Sequence, residues 1–254
     1  LKEIKVLGHG AFGKAILCTG PSGNEYVKKE LYLDEAEDIK TETNPKKKAD
    51  LISQRMDDMQ REAQLMLLLN SKYIVEFIEA KGQKKSNKFE IVMEFCKGGD
   101  LEKLIKQYSN ARKPIPEDEI AYIFLQLLIG VGYLHKNDLI HRDLKPENIF
   151  VTKDQTGKTI YKIGDLGLAN KYQTLKNGLQ EEAGSYQYMA IEMLNDKPYD
   201  HRVDVWSLGV IFYQMLTFRH PYFNSDEQPE MEKLGNFAFD KIQTKYSKWY
   251  FFKS

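Results

Sequence analysis

Cysteine is scarce in this chain, and neither sign of charge is in excess. Cys18 and Cys96 are the only cysteines, and 37 basic residues (Lys and Arg) balance 37 acidic ones. A disulfide framework is therefore not expected, and no overall field draws the chain to nucleic acid or to an anionic membrane. The sequence contains no Asn-X-Ser/Thr site and opens with no signal-peptide pattern.

Long apolar runs are also lacking. The most apolar stretch, Ala121 to His135, is too short and too interrupted by polar residues to span a bilayer. We therefore expect an intracellular, cytoplasmic protein that neither binds nucleic acid nor inserts into a membrane.

The first third of the chain is rich in β-branched and aromatic residues, and the remainder is largely helical in composition. Ile4 to Glu30 predicts three antiparallel strands, and two more are predicted at Tyr73 to Ala80 and Phe89 to Phe95. Apolar periodicity predicts helices over Leu51 to Leu69, Ala121 to His135 and Val203 to Leu216. The polar stretch Asp34 to Asp50 is expected to be a solvated loop.

Glu62 is an unusual residue in the first of these helices. It lies one turn from both Met59 and Met66, so the spacing predicts that it points along the buried stripe. A carboxylate there is costly unless a cation pairs with it.

A glycine pattern near the N-terminus indicates a phosphate-binding turn. Gly8, Gly10 and Gly13 lack a Cβ and let backbone N–H groups approach phosphate oxygens. Strand-like residues continue on both sides, which favours a flap between two strands over a turn that opens a helix.

A lysine pair follows in the third predicted strand. Alternation places Val27 and Lys29 on one face and Lys28 on the other. Either lysine alone is typical of a solvated strand edge, but a pair between one of them and Glu62 would satisfy both charges.

The segment from His141 to Asn148 contains the most informative residues of the chain. It places the carboxylate of Asp143, the ammonium of Lys145 and the carboxamide of Asn148 in one short loop. These groups can accept a proton from an alcohol, neutralise a moving phosphate and hold a metal ion. The segment resembles the catalytic loop of eukaryotic protein kinases.

The resemblance implies a bilobal α+β fold that binds ATP and Mg²⁺. Residues 1–94 would form a small lobe with an antiparallel sheet and one helix, and residues 95–254 a larger, mainly helical lobe. By resemblance, Asp143 accepts the proton of the substrate hydroxyl and Lys145 stabilises the transferred phosphoryl group. Asn148 and Asp165 would hold the magnesium, and Asp165 belongs to an Asp-Leu-Gly triplet that stands where the family has Asp-Phe-Gly.

The nucleotide site is likewise carried over from the family. The resemblance assigns phosphate binding to Lys29, paired with Glu62, and keeps Lys28 as the fallback. Met93, Glu94 and Cys96 resemble the segment that joins the lobes, where the backbone bonds the adenine edge. The complete set of expected nucleotide contacts is Gly8, Gly10, Gly13, Ala15, Val27, Lys29, Met93, Glu94, Cys96, Asp100 and Phe150.

Two features point to serine and threonine hydroxyls of proteins as the acceptors. Lys145-Pro146-Glu147-Asn148 is the form seen in serine/threonine kinases, and Ser185 occupies the position of a hydroxyl that bonds the catalytic loop. The motifs are similar both to NIMA-related kinases and to autophagy-initiating or calcium-regulated kinases.

The chain departs from the family near its end. Ile191 replaces the proline of Ala-Pro-Glu, and no arginine after Arg219 is available to pair with Glu192. We therefore expect the second lobe to be incomplete at its C-terminal end. These departures favour the alternative of a pseudokinase, a nucleotide-binding scaffold, whereas the presence of Lys29, Asp143 and Asp165 favours an enzyme.

Four residues are candidates for regulation: Arg142, Thr174, Glu181 and Ser185. Glu181 stands where many relatives carry an activating phosphosite, and Arg142 is the residue that binds that phosphate. The hypothesis is that the Glu181 carboxylate holds the loop active without phosphorylation. The alternatives are that Glu181 is merely solvated and that Thr174 is the modified residue.

Overall fold

Two structural units divide the chain, one comprising Leu1–Cys96 and the other beginning at Lys97. The computed structural model describes residues 1–10, 13–166, 170–171, 185–195 and 197–222. Thr174, Glu181 and everything after Tyr222 lie outside the described residues, as do the sequence predictions made for them.

A five-stranded antiparallel sheet, in the order β1-β2-β3-β5-β4, forms the described framework of the first unit. Its strands are β1 (Lys2–Gly10), β2 (Gly13–Thr19), β3 (Glu25–Tyr32), β4 (Phe77–Gln83) and β5 (Lys88–Glu94). All five predicted strands are present, but β4 begins at Phe77 rather than at Tyr73. Ile74 and Val75 are consecutive buried residues, so the stretch before β4 lacks the alternation of a strand.

The polar segment after β3 is not the solvated loop that its composition predicts. It contains a 3-10 turn at Leu33–Glu35 and a short helix, α1 (Glu37–Lys40). Ala36 is 6% exposed and Ile39 is 0% exposed. The prediction was wrong because these two apolar residues, three positions apart, share one face and fill a space in the core.

The long helix of the first unit begins earlier than its apolar spacing predicts. It is α2 (Pro45–Met66), and Asn44 caps it by accepting hydrogen bonds from the backbone amides of Lys46 and Lys47. The predicted start at Leu51 was too late because the apolar stripe begins only there. The cap residue followed by proline at the first helical position is the signal that marks the start.

Helices make up most of the described second unit. They are α3 (Leu101–Asn110), α4 (Glu117–Lys136), α5 (Ile191–Leu194) and α6 (Arg202–Thr217). The helices predicted within α4 and α6 are confirmed, and the two pack together with the rings of Phe124 and Phe212 4.6 Å apart. Among the described residues, none of these helices combines the length and the apolar character needed to cross a bilayer.

Two small antiparallel sheets complete the described second unit. They pair β6 (Leu139–Ile140) with β9 (Asn170–Lys171) and β7 (Ile149–Lys153) with β8 (Thr159–Ile163). A unit built on one antiparallel sheet, followed by a mainly helical unit, agrees with the predicted α+β class.

A network of charges covers the face of the first sheet that bears Lys28. The buried Glu30 carboxylate lies at its centre, with Oε1 2.7 Å from Lys28 Nζ and 3.0 Å from Lys88 Nζ. Burial alone would raise the pKa of Glu30, but bonds from Lys28, Lys88, Tyr32 and Lys14 outweigh it and lower the pKa to about 2. The network therefore stabilises the sheet only while Glu30 is ionised.

We predict that acid weakens the first unit through Glu30. Its folded pKa lies below the value of about 4.3 for an unfolded glutamate, so its contribution is complete above that value and is lost as pH falls toward 2. Between pH 6 and 2.5, the free energy of unfolding measured in urea should fall by about 2 to 3 kcal/mol more for wild type than for Glu30→Gln. Glu79→Gln, an exposed carboxylate outside the network, is the control. If the free energy of unfolding falls with pH equally in wild type and Glu30→Gln, Glu30 is not the source of the acid sensitivity.

Candidate active site

A buried carboxylate of α6 holds the loop between β6 and β7. Asp204 is 0% exposed, and its Oδ2 and Oδ1 accept hydrogen bonds from the backbone amides of His141 and Arg142, each at 2.9 Å. Nε2 of His135, near the end of α4, lies 2.7 Å from Oδ2 of Asp204. A buried charge is costly unless it is fully hydrogen-bonded, so Asp204 and the backbone of the loop stabilise each other.

Arg142 adopts a backbone conformation that needs this support. Its φ is 68°, in the left-handed region that bulky residues rarely occupy. Its side chain is buried, and Nη1 lies 3.5 Å from the hydroxyl of Tyr199. The next residue, Asp143, is half-buried.

His141 links the loop to the segment that carries Asp165. Its Nδ1 accepts a hydrogen bond from the backbone amide of Asp143 at 3.2 Å, and its Nε2 lies 2.9 Å from the carbonyl oxygen of Gly164. Because Nδ1 acts as an acceptor, the proton is on Nε2, which donates to Gly164. The imidazole is 0% exposed, and its two hydrogen bonds connect the loop that carries Asp143 to the segment that carries Gly164.

Three of the residues predicted from the sequence, Lys145, Asn148 and Ser185, contact the Asp143 carboxylate. Oδ1 accepts from the backbone amide of Ser185 at 2.7 Å, and Oδ2 accepts from Nδ2 of Asn148 at 3.0 Å. Nζ of Lys145 lies 3.1 Å from the same Oδ2 and donates to Oγ of Ser185 at 2.6 Å. The expected contact between the Ser185 hydroxyl and the loop is present. These donors fix a partly exposed carboxylate in one orientation.

Asn148 and Asp165 offer the amide and carboxylate oxygens that Mg²⁺ prefers, and their segments are joined by a backbone hydrogen bond. Nδ2 of Asn148 is used by the carbonyl and carboxylate oxygens of Asp143, and no described residue donates to its Oδ1. The backbone oxygen of Asn148 accepts from Gly164 at 2.9 Å, which places Asn148 beside the start of the Asp165 segment. No group of three or more His, Cys, Asp or Glu suited to a metal occurs among the described residues. Two oxygen ligands suit Mg²⁺ because it completes its shell with water and phosphate.

In the first unit, the predicted phosphate-binding glycines lie where β1 and β2 meet. Gly10 faces Gly13, and Gly8 faces Ala15 in the antiparallel register, as a flap between two strands requires. A Cβ built on Gly13 would stand 1.9 Å from the backbone oxygen of Glu30. Any larger residue at position 13 would therefore push β2 away from β3.

The two lysines of β3 occupy opposite faces of the sheet, as predicted. Lys28 belongs to the charge network, with Nζ 2.7 Å from carboxylate oxygens of both Glu3 and Glu30. Lys29 is paired in register with Ala15 on one side and Ile91 on the other, and it shares its face with Val27. Ile91 packs against the cluster that contains α2. Of the two lysines, Lys29 therefore lies on the α2 side of the sheet.

The predicted burial of Glu62 was wrong, because this side chain is exposed. The buried stripe of α2 is centred on Ile52, Met56, Ala63 and Met66. At 100° per residue, Glu62 lies about 80° from the middle of that stripe, on its flank. The Lys29–Glu62 pair stays a prediction.

The predicted adenine and ribose contacts Met93, Glu94, Cys96 and Asp100 fall at the end of the first unit and the start of the second. Met93 and Cys96 are each 7% exposed, and the Glu94 carboxylate accepts from the backbone amide of Glu76 at 2.7 Å. Asp100 caps α3 by accepting from the backbone amide of Lys103 at 2.9 Å. Phe150 in β7 forms a bridge with Asp100. The cap is a structural role for Asp100 that the sequence analysis did not anticipate.

Sequence reasoning missed Asp204 and the side chain of His141 as functional residues. The available signal was an aspartate between Val203 and Val205 in an otherwise apolar helix, because a charge in that setting needs buried donors. The identity of those donors, backbone amides far away in the chain, has no signature in the sequence.

Comparisons with known proteins agree with this geometry. The sequence matches the model of the protein kinase domain family over residues 1–253. It is 34% identical to the mouse serine/threonine-protein kinase Nek3 over 86% of this chain and 38% of that protein. It is 33% identical to calcium-dependent protein kinase 4 of Plasmodium falciparum over 96% of this chain and 43% of that protein.

The human serine/threonine-protein kinase Nek5 is 29% identical over 96% of this chain and 32% of its own length. The chain thus spans about a third to two fifths of the length of these curated relatives. The two groups agree with the NIMA-related and calcium-regulated resemblances in the motifs. Through its family match and the loop built around Asp143, the chain belongs to the protein kinase domain family.

Proposed function

We propose that this domain is an ATP-dependent protein kinase that phosphorylates serine and threonine side chains and requires Mg²⁺. The observation that carries the proposal is the cluster in which Asp143, Lys145, Asn148 and Ser185 are joined by hydrogen bonds. Cys18 and Cys96 are both free thiols, which fits the reducing cytoplasm that we propose as its compartment.

In the proposed reaction, Asp143 orients the substrate hydroxyl and takes its proton. The hydroxyl oxygen forms a bond to the γ-phosphorus of ATP while the bond from that phosphorus to the bridging oxygen breaks, and ADP leaves. The amide of Ser185 and Nδ2 of Asn148 hold the Asp143 carboxylate in place before the substrate arrives. Such preorganisation lowers the barrier because no reorientation is required during transfer.

Lys145 supplies positive charge to the transferred group. An ammonium has three N–H donors, and the described contacts to Asp143 and Ser185 use two of them. The third remains for a phosphoryl oxygen. Asn148 and Asp165 would hold the magnesium ion, which when bound neutralises charge on the phosphates.

The first unit would bind the nucleotide. In this proposal the glycines of the β1–β2 flap approach the phosphates, and Lys29, oriented by Glu62, bonds them. Ala15, Val27 and Met93 would contact the adenine. The register supports this grouping, because Ala15 lies beside Lys29 and Val27 lies beside Met93.

We predict that Asp143→Asn removes catalysis while nucleotide binding is retained. The amide cannot take the proton of the hydroxyl, so transfer of labelled phosphate from ATP to a generic protein substrate should fall about 10²- to 10⁴-fold. Asp118→Asn, an exposed carboxylate in the first turn of α4, is the matched control. Wild type that binds ATP without magnesium-dependent transfer would favour the pseudokinase alternative. An Asp143→Asn variant with full activity would refute the role assigned to Asp143.

The two lysines of β3 provide a second, internally controlled prediction. Lys29→Met should raise the KM for ATP and lower kcat, together about 10²-fold in kcat/KM, because a charge-assisted bond to phosphate is lost. Lys28→Met should instead lower thermal stability and leave kcat/KM within about twofold, because Lys28 pairs with Glu3 and Glu30. Steady-state kinetics and thermal unfolding of both variants decide the matter. The assignment fails if Lys28→Met is the variant that loses ATP-dependent activity.

A further inference from the structure

The segment of residues 33–44, which we call the insert, is folded against α2. It comprises the 3-10 turn, α1 and the cap of α2. Leu33, Ala36 and Ile39 are 4%, 6% and 0% exposed, and they belong to one core cluster with Ile52 and Met56 of α2. A polar segment that buries three apolar side chains under a helix is a structural element, not a spacer.

The insert is also tied to its surroundings by polar contacts at several points. Nη1 of Arg55 in α2 lies 3.0 Å from Oδ1 of Asp38. Nζ of Lys47 lies 2.8 Å from Oε2 of Glu42, and the backbone amide of Leu33 donates to the carbonyl of Asn87 at 2.9 Å. Exposed ion pairs contribute little individually, so the buried apolar residues carry most of the attachment.

The N-terminal half of α2 needs such support. Its first turn holds Lys46, Lys47 and Lys48 and no acidic residue. Positive side chains are unfavourable at the positive end of a helix dipole, and the Asn44 cap offsets only part of this cost. Packing against the insert supplies a further restraint at this end of the helix.

The rotation of α2 about its axis decides where Glu62 stands. Successive residues are separated by 100°, and Glu62 directly precedes the buried Ala63 on the flank of the apolar stripe. A modest rotation of α2 would therefore carry the Glu62 carboxylate away from the face of the sheet that bears Lys29. Ile39 and Met56 lie in the same cluster, so such a rotation would disturb their packing.

We propose that Ile39, together with Leu33 and Ala36, is a positioning residue that fixes α2 so that Glu62 can orient Lys29. The inference rests on the proposed function, in which Lys29 bonds the phosphates of ATP. It assigns a role in catalysis to an insert that contains none of the chemical groups of the reaction. The insert would act through α2 and not by contact with substrate.

A double-mutant cycle between Ile39→Ala and Glu62→Gln tests the proposal. Alone, Ile39→Ala should lower kcat/KM for ATP about tenfold, which corresponds to about 1.4 kcal/mol, and in the Glu62→Gln background less than about twofold. Ile39→Val, which leaves a smaller cavity, should recover most of the activity. Ile115→Ala is the matched control, because Ile115 is 0% exposed and belongs to the second unit. It should lower thermal stability by a similar amount without changing kcat/KM per folded molecule in either background.

Equal losses for Ile39→Ala in the two backgrounds would overturn the proposal, as would losses no larger than those of Ile115→Ala. Amide hydrogen exchange of α2 gives a readout that does not depend on activity. Exchange between Met56 and Met66 should accelerate in Ile39→Ala relative to Ile115→Ala. If wild type transfers no phosphate, the proposed function fails, and the exchange data still decide whether the insert holds α2. Unchanged exchange would refute the insert's role in either case.

Discussion

The hydrogen bonds that Asp204 accepts from the backbone of the catalytic loop are the interaction on which the rest of the site depends. Asp204 is fully buried and binds the amides of His141 and Arg142, each at 2.9 Å. These bonds support the left-handed conformation of Arg142, and the next residue, Asp143, is half-buried. A carboxylate inside an apolar helix is costly by itself, and the loop backbone offsets that cost.

In each unit, buried side chains that take no part in the proposed reaction support the residues that do. In the second unit, Asp204 and His141 hold the loop and tie it to Gly164, next to Asp165. In the first unit, α2 packs under the sheet, and the insert with Ile39 restrains it. The network around Glu30 uses the opposite face of the sheet and engages Lys28. Asp143 is partly exposed, whereas Asp204 and His141, which hold its loop, are fully buried.

The sequence predicts the residues proposed to react better than it predicts the buried residues that hold them in place. The strand alternation that separates Lys28 from Lys29 follows from local spacing. The roles in the loop from His141 to Asn148 and the Ser185 contact follow from the resemblance to protein kinases. The burial of Ile39 and the partners of Asp204 depend on residues distant in the chain, which periodicity cannot supply. The burial of Glu62 was predicted wrongly because a residue one turn from Met59 and Met66 can lie either at the centre of an apolar stripe or on its edge. Only the packing of the folded helix shows which of the two positions it occupies.

The central claim, that Asp204 positions the catalytic loop, is tested most directly by hydrogen exchange at the amides of His141 and Arg142 in Asp204→Asn. An asparagine has nearly the same shape but turns an N–H₂ toward one of the two amides. The account predicts at least about tenfold faster exchange at both amides and a fall in kcat of about 10- to 100-fold per folded molecule. Asp200→Asn, which removes a charge just before α6, should change neither quantity. Unchanged protection and unchanged kcat in Asp204→Asn would contradict the account.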